Sequence, residues 1–309
     1  MKVIVDEAHG AQFYFSDKLP LSAMECDADM TAISMHKTAG SFTQSSAILC
    51  KGDRVDYSRL RSSLNMLQST SPSSLLIASL DVARKTMYFE GQKRIDKLLS
   101  MAKDTRNKLS QIPGITVYDR EYFIKHNSFD YDETKIIVKV SDLGLSGFEV
   151  YKMMRQKYNV QLELAESHII LAVLTIGTTK QHLDSLVQGF KKLSTEYYKQ
   201  RDKLPKIDFD YTYPEAYARP RDAYHAPNKI IELDKATGEI AAEQVMIYPP
   251  GIPMLIPGEI ISADVIDDIK FYLSKGSALQ SDLDENHIRV VDKENWLKWE
   301  GETDEFQKS

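Results

Sequence analysis

Two short apolar runs near the start of the chain each end in a residue with reactive chemistry. Lys2–Val5 is a buried-strand pattern followed at once by Asp6, and Met30–Ser34 is a second one that ends just before Lys37. Strands that give way directly to polar residues favour an α/β sheet, because ligands in such sheets bind beyond the carboxyl ends of the strands. We therefore expect Asp6 and Lys37 to lie at the same edge of one sheet.

The remaining pattern predicts long helices and then a mixture of helices and strands. Predicted helices cover residues 53–68, 72–109, 146–158, 179–201 and 263–273. Gly91 allows a bend within the second of these helices. Predicted strands cover residues 42–50, 115–118, 135–140, 161–164, 169–175 and 287–291, and Leu19–Cys26 is a short helix or a loop. A linker is expected over residues 202–214, and the prolines of residues 248–259 exclude a helix there.

Two helices carry further sequence signals. Ser146 and Glu149 form a capping-box pattern at the start of the third helix. The helix over residues 179–201 is amphipathic, and its apolar stripe consists of Leu183, Leu186, Val187, Phe190 and Leu193. These residues are predicted to face a core.

The composition excludes several classes of function. The 309 residues carry a formal net charge of −6 with a pI near 5.7, and no basic cluster alternates with aromatic residues, so nucleic acid is not expected as a partner. No apolar run is long enough to cross a membrane, and the first residues lack the apolar centre of a signal peptide. Cys26 and Cys50 are too few for a disulfide framework or a zinc site, which favours the reducing cytoplasm and two unreactive thiols.

Asp6 and Lys37 are the two residue types that a pyridoxal phosphate site requires. A carboxylate beside the pyridine nitrogen keeps that nitrogen protonated, so that the ring can accept electrons. A partly desolvated lysine condenses with the aldehyde group of the cofactor. Ser34 and His36 flank Lys37 and are able to donate hydrogen bonds to a phosphate group.

Each of these residues also has an ordinary structural interpretation. An aspartate such as Asp6, taken alone, is more often the end of a strand or the cap of a helix. A lysine such as Lys37 most often lies in an exposed loop. His9 is either a hydrogen-bond donor near the cofactor or a satisfied core histidine, and Ala8 is small enough for a flat ring but identifies no site by itself.

Five segments together resemble the Orn/Lys/Arg decarboxylases, which are pyridoxal-phosphate enzymes of fold type I. They are Val5–Ala11, Ser34–Thr38, Gln44–Ser46, Met66–Pro72 and Tyr248–Glu259, and their order along the chain makes the resemblance specific. The arrangement is similar to the shorter, arginine-decarboxylase-like branch and covers residues 1 to about 275.

The resemblance implies an α/β fold with three parts. Residues 1–113 would be the carboxyl-terminal part of the family's cofactor-binding large domain, 114–203 an α+β small domain, and 204–309 a C-terminal decarboxylase domain. It also implies that the cofactor is pyridoxal phosphate and that the substrate is a basic amino acid. Arginine is the first candidate substrate, and lysine and ornithine are the other candidates. The expected product is an amine of polyamine biosynthesis.

The resemblance assigns roles to matching residues around the cofactor ring. Lys37 would bind the cofactor covalently, and Asp6 would pair with the pyridine nitrogen. Ala8 would lie against the ring, and His9 is included among the cofactor-binding residues. Lys37, Asp6 and the neighbouring His36 are the residues that we expect to take part in catalysis.

The resemblance assigns further residues to the phosphate and the substrate. Ser34 and His36 would contact the phosphate or flank the lysine–cofactor linkage. Ser69 belongs to a segment that reaches the phosphate of the neighbouring subunit in this family, which implies a homodimer or higher homo-oligomer with shared sites. Glu259 would lie near the substrate entrance, with an ordinary surface glutamate in a Pro-Gly turn as the alternative.

The amino terminus departs from the family pattern. A full member carries the first half of the large domain ahead of the Asp6 strand, including a phosphate-binding loop at a helix N-terminus. We therefore expect an open apolar sheet edge at Lys2–Val5 and either a separately encoded N-terminal fragment as a partner or a truncated, non-catalytic remnant. Another fold-type-I reaction, such as that of an aminotransferase or an aldolase, is a third hypothesis, since Asp6 and Lys37 would serve it in the same way.

Overall fold

The computed structural model describes residues 1–200, 202, 204, 214–248, 251–274 and 278–296. Contacts divide the chain into two compact units. The first unit comprises Met1–Gly144, Met154–Glu163 and Leu171–Asp202, and the second comprises Leu145–Met153, Leu164–Ile170 and Lys203–Ser309. Among the described residues, no helix combines the length and the apolar character that are needed to cross a membrane. The domain boundaries drawn from the sequence remain predictions.

Up to residue 200 the chain alternates short strands with helices. In chain order the elements are β1 (Ile4–Asp6), β2 (Met30–Ser34), α1 (Met35–Thr38), β3 (Ser46–Cys50), α2 (Tyr57–Leu67), α3 (Ser74–Leu109), β4 (Thr116–Tyr118), α4 (Arg120–Lys125), β5 (Lys135–Lys139), α5 (Gly147–Tyr158), β6 (Leu164–Ala165), β7 (Ile169–Val173) and α6 (Lys180–Tyr197). Short 3-10 turns lie at Phe13–Phe15 and Ser141–Leu143. This mixture of sheets and helices confirms the predicted α/β class.

A three-stranded sheet with the order β1-β2-β3 opens the first unit. β1 and β2 are parallel, whereas β2 and β3 are antiparallel. The bounds of β2 agree with the prediction, but β3 is shorter than predicted because Gln44 has a φ of 62°, which interrupts extended backbone. Within the described residues β1 pairs only with β2, so its other edge is open, and Ile4 is 67% exposed.

The helices α2 and α3 begin later than the sequence predicts. Asp56 caps α2 by accepting a hydrogen bond from the backbone N–H of Arg59 at 3.0 Å, so residues 53–55 lie outside the helix. Ser73 is the N-cap of α3, which leaves Pro72 just before the helix instead of in its first turn. α3 continues through Gly91, where a Cβ atom would lie only 3.0 Å from the Cβ of Phe15.

A second sheet has the order β4-β5-β7-β6. The predicted strand over residues 161–164 is wrong in its bounds, because regular pairing starts only at Leu164. α6 begins after Thr179 and ends at Tyr197, earlier than predicted. The predicted apolar stripe of α6 is confirmed, since the following residues are all buried: Leu183, Leu186, Val187, Phe190 and Leu193.

The second unit contains two further sheets. Its elements after residue 214 are α7 (Pro220–His225), β8 (Asn228–Glu232), β9 (Val245–Tyr248), β10 (Ile252–Leu255), α8 (Ala263–Ser274), β11 (Ala278–Gln280) and β12 (His287–Val291). The sheets have the orders β10-β9-β11 and β12-β8. The predicted strand β12 and the Ser146–Glu149 capping box are confirmed. Most of the predicted linker over residues 202–214 lies outside the described residues.

Candidate active site

The parallel pairing of β1 and β2 brings Asp6 and Lys37, the two main residues of the predicted site, to one edge of the sheet. Asp6 ends β1 and Ser34 ends β2, with Asp6 opposite Ala32 in the register. α1 follows β2 directly and carries His36 and Lys37. Because the carboxyl ends of neighbouring parallel strands meet at one edge, the aspartate and the lysine lie on adjacent segments, as the sequence predicts.

Asp6 has one carboxylate oxygen engaged and one available. Its Oδ1 accepts a hydrogen bond from the backbone N–H of Ala8 at 3.0 Å, which is the turn that an aspartate commonly makes after a strand. Its Oδ2 has no hydrogen-bond partner among the described residues, and the side chain is exposed. The turn after the strand therefore occupies Oδ1 of Asp6 and leaves Oδ2 for the predicted contact with a cofactor.

A buried carboxylate fixes the turn that follows β1. Glu7 is 9% exposed, and its side chain accepts hydrogen bonds from the backbone N–H of Ala23 at 2.9 Å and from the hydroxyl of Tyr14 at 2.6 Å. Its own N–H donates to the carbonyl oxygen of Ala32 at 3.0 Å. The sequence analysis did not single out Glu7. Its position directly after an apolar strand indicates that it could be buried, and a buried carboxylate needs hydrogen-bond partners.

His9 is paired with an acidic residue that is distant in the sequence. Its Nε2 lies 3.2 Å from Oε1 of Glu163, and both side chains are partly exposed. The hydrogen bond from His9 lowers the pKa of the Glu163 carboxyl below its ordinary value, and the charges of Lys37 and Lys135 act in the same direction. Glu163 thus lies within electrostatic reach of both His9 and Lys37.

The carbonyl group of Ser45 holds the start of α1. It accepts hydrogen bonds from the backbone N–H of Met35 and from Nδ1 of His36, each at 3.0 Å. Since a carbonyl oxygen only accepts, the proton of His36 resides on Nδ1. Lys37 is exposed, and its Nζ makes no hydrogen bond or ion pair within the described part of the chain. No described partner therefore competes for its amine, but the exposed position does not supply the partial desolvation expected of a lysine that reacts with the cofactor.

Hydroxyl groups line the surface beside α1. The Oγ of Ser34 lies 3.5 Å from the Oγ of Ser46. A groove of about 550 Å³ lies between the start of β3 and the segment before α3, and Ser45, Ser46 and Ser69 are among its lining residues. Ser45 is 4% exposed, and its Oγ has no hydrogen-bond partner among the described residues. Buried hydroxyls without partners are uncommon, so this groove favours a polar ligand.

Glu259 lies in the second unit, and its described contacts are local. Its Oε2 accepts a hydrogen bond from the backbone N–H of Ile256 at 2.8 Å, and its carbonyl oxygen accepts one from Ala241 at 2.9 Å. The first contact belongs to the turn that follows β10, and the second joins this turn to the segment before β9. They give Glu259 a structural role, and the predicted role near the substrate remains a prediction.

The chemistry of the donor set fits pyridoxal phosphate. Asp6 offers a free carboxylate oxygen to a protonated ring nitrogen, and Lys37 offers an amine without a competing partner to the aldehyde. The hydroxyls of Ser34 and Ser45 are suited to a phosphate group. Ala8 is partly exposed, and its predicted place against the ring remains a prediction.

The fold is shared with solved lysine decarboxylases. The chain is similar to the Francisella novicida enzyme LdcF with a TM-score of 0.74 and 20% identity, over 94% of this chain and 53% of that one. It is similar to the constitutive lysine decarboxylase of Escherichia coli with a TM-score of 0.75 and 17% identity, over 94% of this chain and 54% of that one. This likeness shows that the chain has the α/β fold of these solved structures.

The family is identified by sequence. The family model described as "Orn/Lys/Arg decarboxylase, major domain" matches residues 1–182, and the one described as "Orn/Lys/Arg decarboxylase, C-terminal domain" matches residues 192–280. The chain belongs to the Orn/Lys/Arg decarboxylase family.

Curated relatives are proteins named arginine decarboxylase. The chain is 40% identical to the one from Bacillus subtilis over 305 residues, which cover 96% of this chain and 61% of the relative. It is 38% identical to the one from Bacillus anthracis over 292 residues, which cover 94% of this chain and 59% of the relative. The chain thus spans about 60% of the length of these relatives.

Proposed function

We propose that the chain takes part in the pyridoxal-phosphate-dependent decarboxylation of a basic amino acid, with arginine as the first candidate substrate. The observation that carries this proposal is the parallel register of β1 and β2, which sets the free Oδ2 of Asp6 on a segment adjacent to the unpaired amine of Lys37. Family membership supports the reaction type. The names of the Bacillus relatives support arginine ahead of lysine and ornithine, and a product in polyamine biosynthesis.

When bound, pyridoxal phosphate supplies an electron sink for the bond between the substrate's α-carbon and its carboxyl group. Asp6 holds a proton on the ring nitrogen, because a carboxylate at that atom favours its charged form. The amine of Lys37 would hold the cofactor as a nucleophile and would be placed to carry a proton to the substrate's α-carbon.

The phosphate end of the cofactor is bound by hydroxyl and imidazole groups. Ser34 and His36 lie on either side of the turn from β2 into α1, and the buried Oγ of Ser45 has a free hydrogen-bonding capacity. Charge-assisted hydrogen bonds to phosphate are stronger than neutral ones, so such groups orient the cofactor as well as bind it. Ser69 would contribute through the groove that it shares with Ser45, in its own or a neighbouring subunit.

The proposal extends to quaternary structure and organisation. A second copy of the chain is the partner expected from the exposed apolar face of α3, which includes Tyr88 and Phe89. The three domains predicted over residues 1–113, 114–203 and 204–309 and the cytoplasmic location are part of the same proposal.

The decisive assay measures release of CO2 and amine from arginine, lysine and ornithine in the presence of pyridoxal phosphate. We expect CO2 release with arginine and no release by the Lys37→Ala variant. Lys51→Ala is the matched control, since Lys51 pairs with Asp27 at the surface at 2.5 Å. Amine transfer without CO2 would favour an aminotransferase, and no reaction with any of the three substrates would favour a non-catalytic chain.

A further inference from the structure

Glu163 is held in place from its backbone as well as from its side chain. The backbone N–H of Glu163 donates to the carbonyl oxygen of Leu171 at 2.9 Å, just before β6 begins. Its Oε1 lies 3.2 Å from Nε2 of His9, which is 154 positions away in the sequence. His9 itself follows β1 and stands three residues after Asp6. The pair therefore joins the turn after β1 to the segment that is hydrogen-bonded to Leu171 of β7, within the first unit.

The pair determines which ring nitrogen of His9 carries a proton. An ionised carboxylate only accepts hydrogen bonds, so Nε2 of His9 must be the donor to Glu163. Nδ1 makes no hydrogen bond among the described residues. With Nε2 committed in this way, the ring is fixed in orientation, and Nδ1 is left for a ligand.

Three cationic or basic groups face Glu163 within the first unit. They are His9, Lys37 and Lys135, and their combined effect lowers the pKa of the Glu163 carboxyl below its ordinary value. Lys135 is itself paired with Asp132 at 3.1 Å, and both of those side chains are largely buried. The lowered pKa keeps the carboxylate of Glu163 ionised and able to accept the hydrogen bond of His9.

We propose that Glu163 is a positioning residue of the cofactor site, which orients His9 through Nε2 and leaves Nδ1 to contact bound pyridoxal phosphate. The inference rests on the proposed function. It assigns to Glu163 no contact with the cofactor itself. Its effect on cofactor binding must therefore pass through His9, and this requirement makes it testable by a double-mutant cycle.

The cycle compares the wild-type chain with Glu163→Gln, His9→Asn and the double variant. The measured quantity is the Kd for pyridoxal phosphate, from the absorbance of the bound cofactor. For a partly exposed charged pair we expect each single variant to raise Kd by about fivefold, and the double variant by about the same fivefold factor. Unchanged binding by Glu163→Gln, or effects that multiply in the double variant, would overturn the proposal.

Glu196→Gln is the matched control. Glu196 is a partly exposed glutamate paired with Lys157 at 3.7 Å, so its exposure and chemistry resemble those of Glu163. We expect its Kd for pyridoxal phosphate to equal that of the wild type. A fivefold loss in this control as well would show a general charge effect and would contradict the positioning role.

A second measurement needs no cofactor. In the cofactor-free chain labelled with 13C at glutamate side chains, the Glu163 carboxyl should titrate below its ordinary pKa of 4.5, and His9→Asn should move that pKa upward. An unmoved pKa would overturn the pairing. If the wild type failed to bind pyridoxal phosphate, the proposed function would fail while this coupling could still be observed, so the two failures are distinguishable.

Discussion

The hydroxyl of Tyr14 donates a hydrogen bond of 2.6 Å to Oε2 of the buried Glu7 carboxylate. Burial, together with this bond, raises the pKa of Tyr14 above its ordinary value. Glu7 directly follows Asp6, so the contact fixes the loop that leads away from the candidate site. It closes a network in which the backbone N–H of Ala23 also donates to the same carboxylate.

This network predicts that Glu7 is essential for stability. Glu7→Ala should lower the free energy of unfolding by about 3 kcal/mol, because two donors, the Ala23 N–H and the Tyr14 hydroxyl, lose their charged acceptor. Tyr14→Phe removes one donor and should cost about 1 kcal/mol. Urea denaturation measures both values. Tyr57→Phe is the control, since the Tyr57 hydroxyl bonds to Gly52 at the exposed surface, and an equal loss there would contradict the network's importance.

Asp6→Asn should separate the two roles of this side chain. Asparagine keeps an oxygen that accepts the Ala8 N–H, so the thermal stability should stay close to that of the wild type. The lost charge should weaken pyridoxal phosphate binding by about tenfold, the equivalent of about one pKa unit at the ring nitrogen. A cofactor titration checks this, with the exposed Asp27→Asn as control. Unchanged affinity in Asp6→Asn would remove Asp6 from the site.

A glycine in the second unit offers a test of the turn near Glu259. Gly258 has a φ of 93°, and a Cβ atom there would lie 2.3 Å from the carbonyl oxygen of Ala218. Gly258→Ala should therefore lower the free energy of unfolding by about 3 kcal/mol, from backbone strain and overpacking together. Gly238 has a φ of 82° but no atom within 4 Å of such a Cβ, so Gly238→Ala should cost only about 1 kcal/mol. Equal losses in thermal denaturation would contradict this difference.

The exposed face of α3 predicts self-association. Tyr88 and Phe89 are each 72% exposed, and their rings meet edge to face with centroids 5.0 Å apart. Apolar side chains at this exposure favour burial against a partner, for which we expect a second copy of the chain. Sedimentation should show a dimer or larger species for the wild type and a smaller species for Phe89→Glu. Phe129→Glu is the control, because Phe129 is an exposed phenylalanine outside α3. A monomeric wild type would refute the prediction.

Local patterns in the sequence predicted much of this fold. The bounds of β2 and β12 agree with the apolar runs, and the capping box of Ser146 and Glu149 forms as its spacing indicates. Such features depend on neighbours within a few positions. The starts of α2 and β3 were misjudged because one capping aspartate, Asp56, and one positive φ, at Gln44, decide them.

The long-range contacts of the candidate site could not be predicted in this way. Asp6 and Lys37 were found because their chemistry is distinctive and each ends a strand pattern. The partner of His9 is Glu163, and nothing in the strand-like run around Glu163 indicates a contact with a residue 154 positions away. Likewise, the buried amide of Gln12 donates to Thr134 at 2.9 Å, a contact that only the assembled first unit reveals.

The most direct test of the central proposal is reductive trapping of the cofactor. The purified chain is incubated with pyridoxal phosphate and reduced with borohydride, and the added mass is located by peptide mapping. We predict one label per chain on Lys37, because its amine has no competing partner in the described structure and follows the strand that pairs with the Asp6 strand. No label, or label distributed over other lysines such as Lys51, would contradict the assignment of this site.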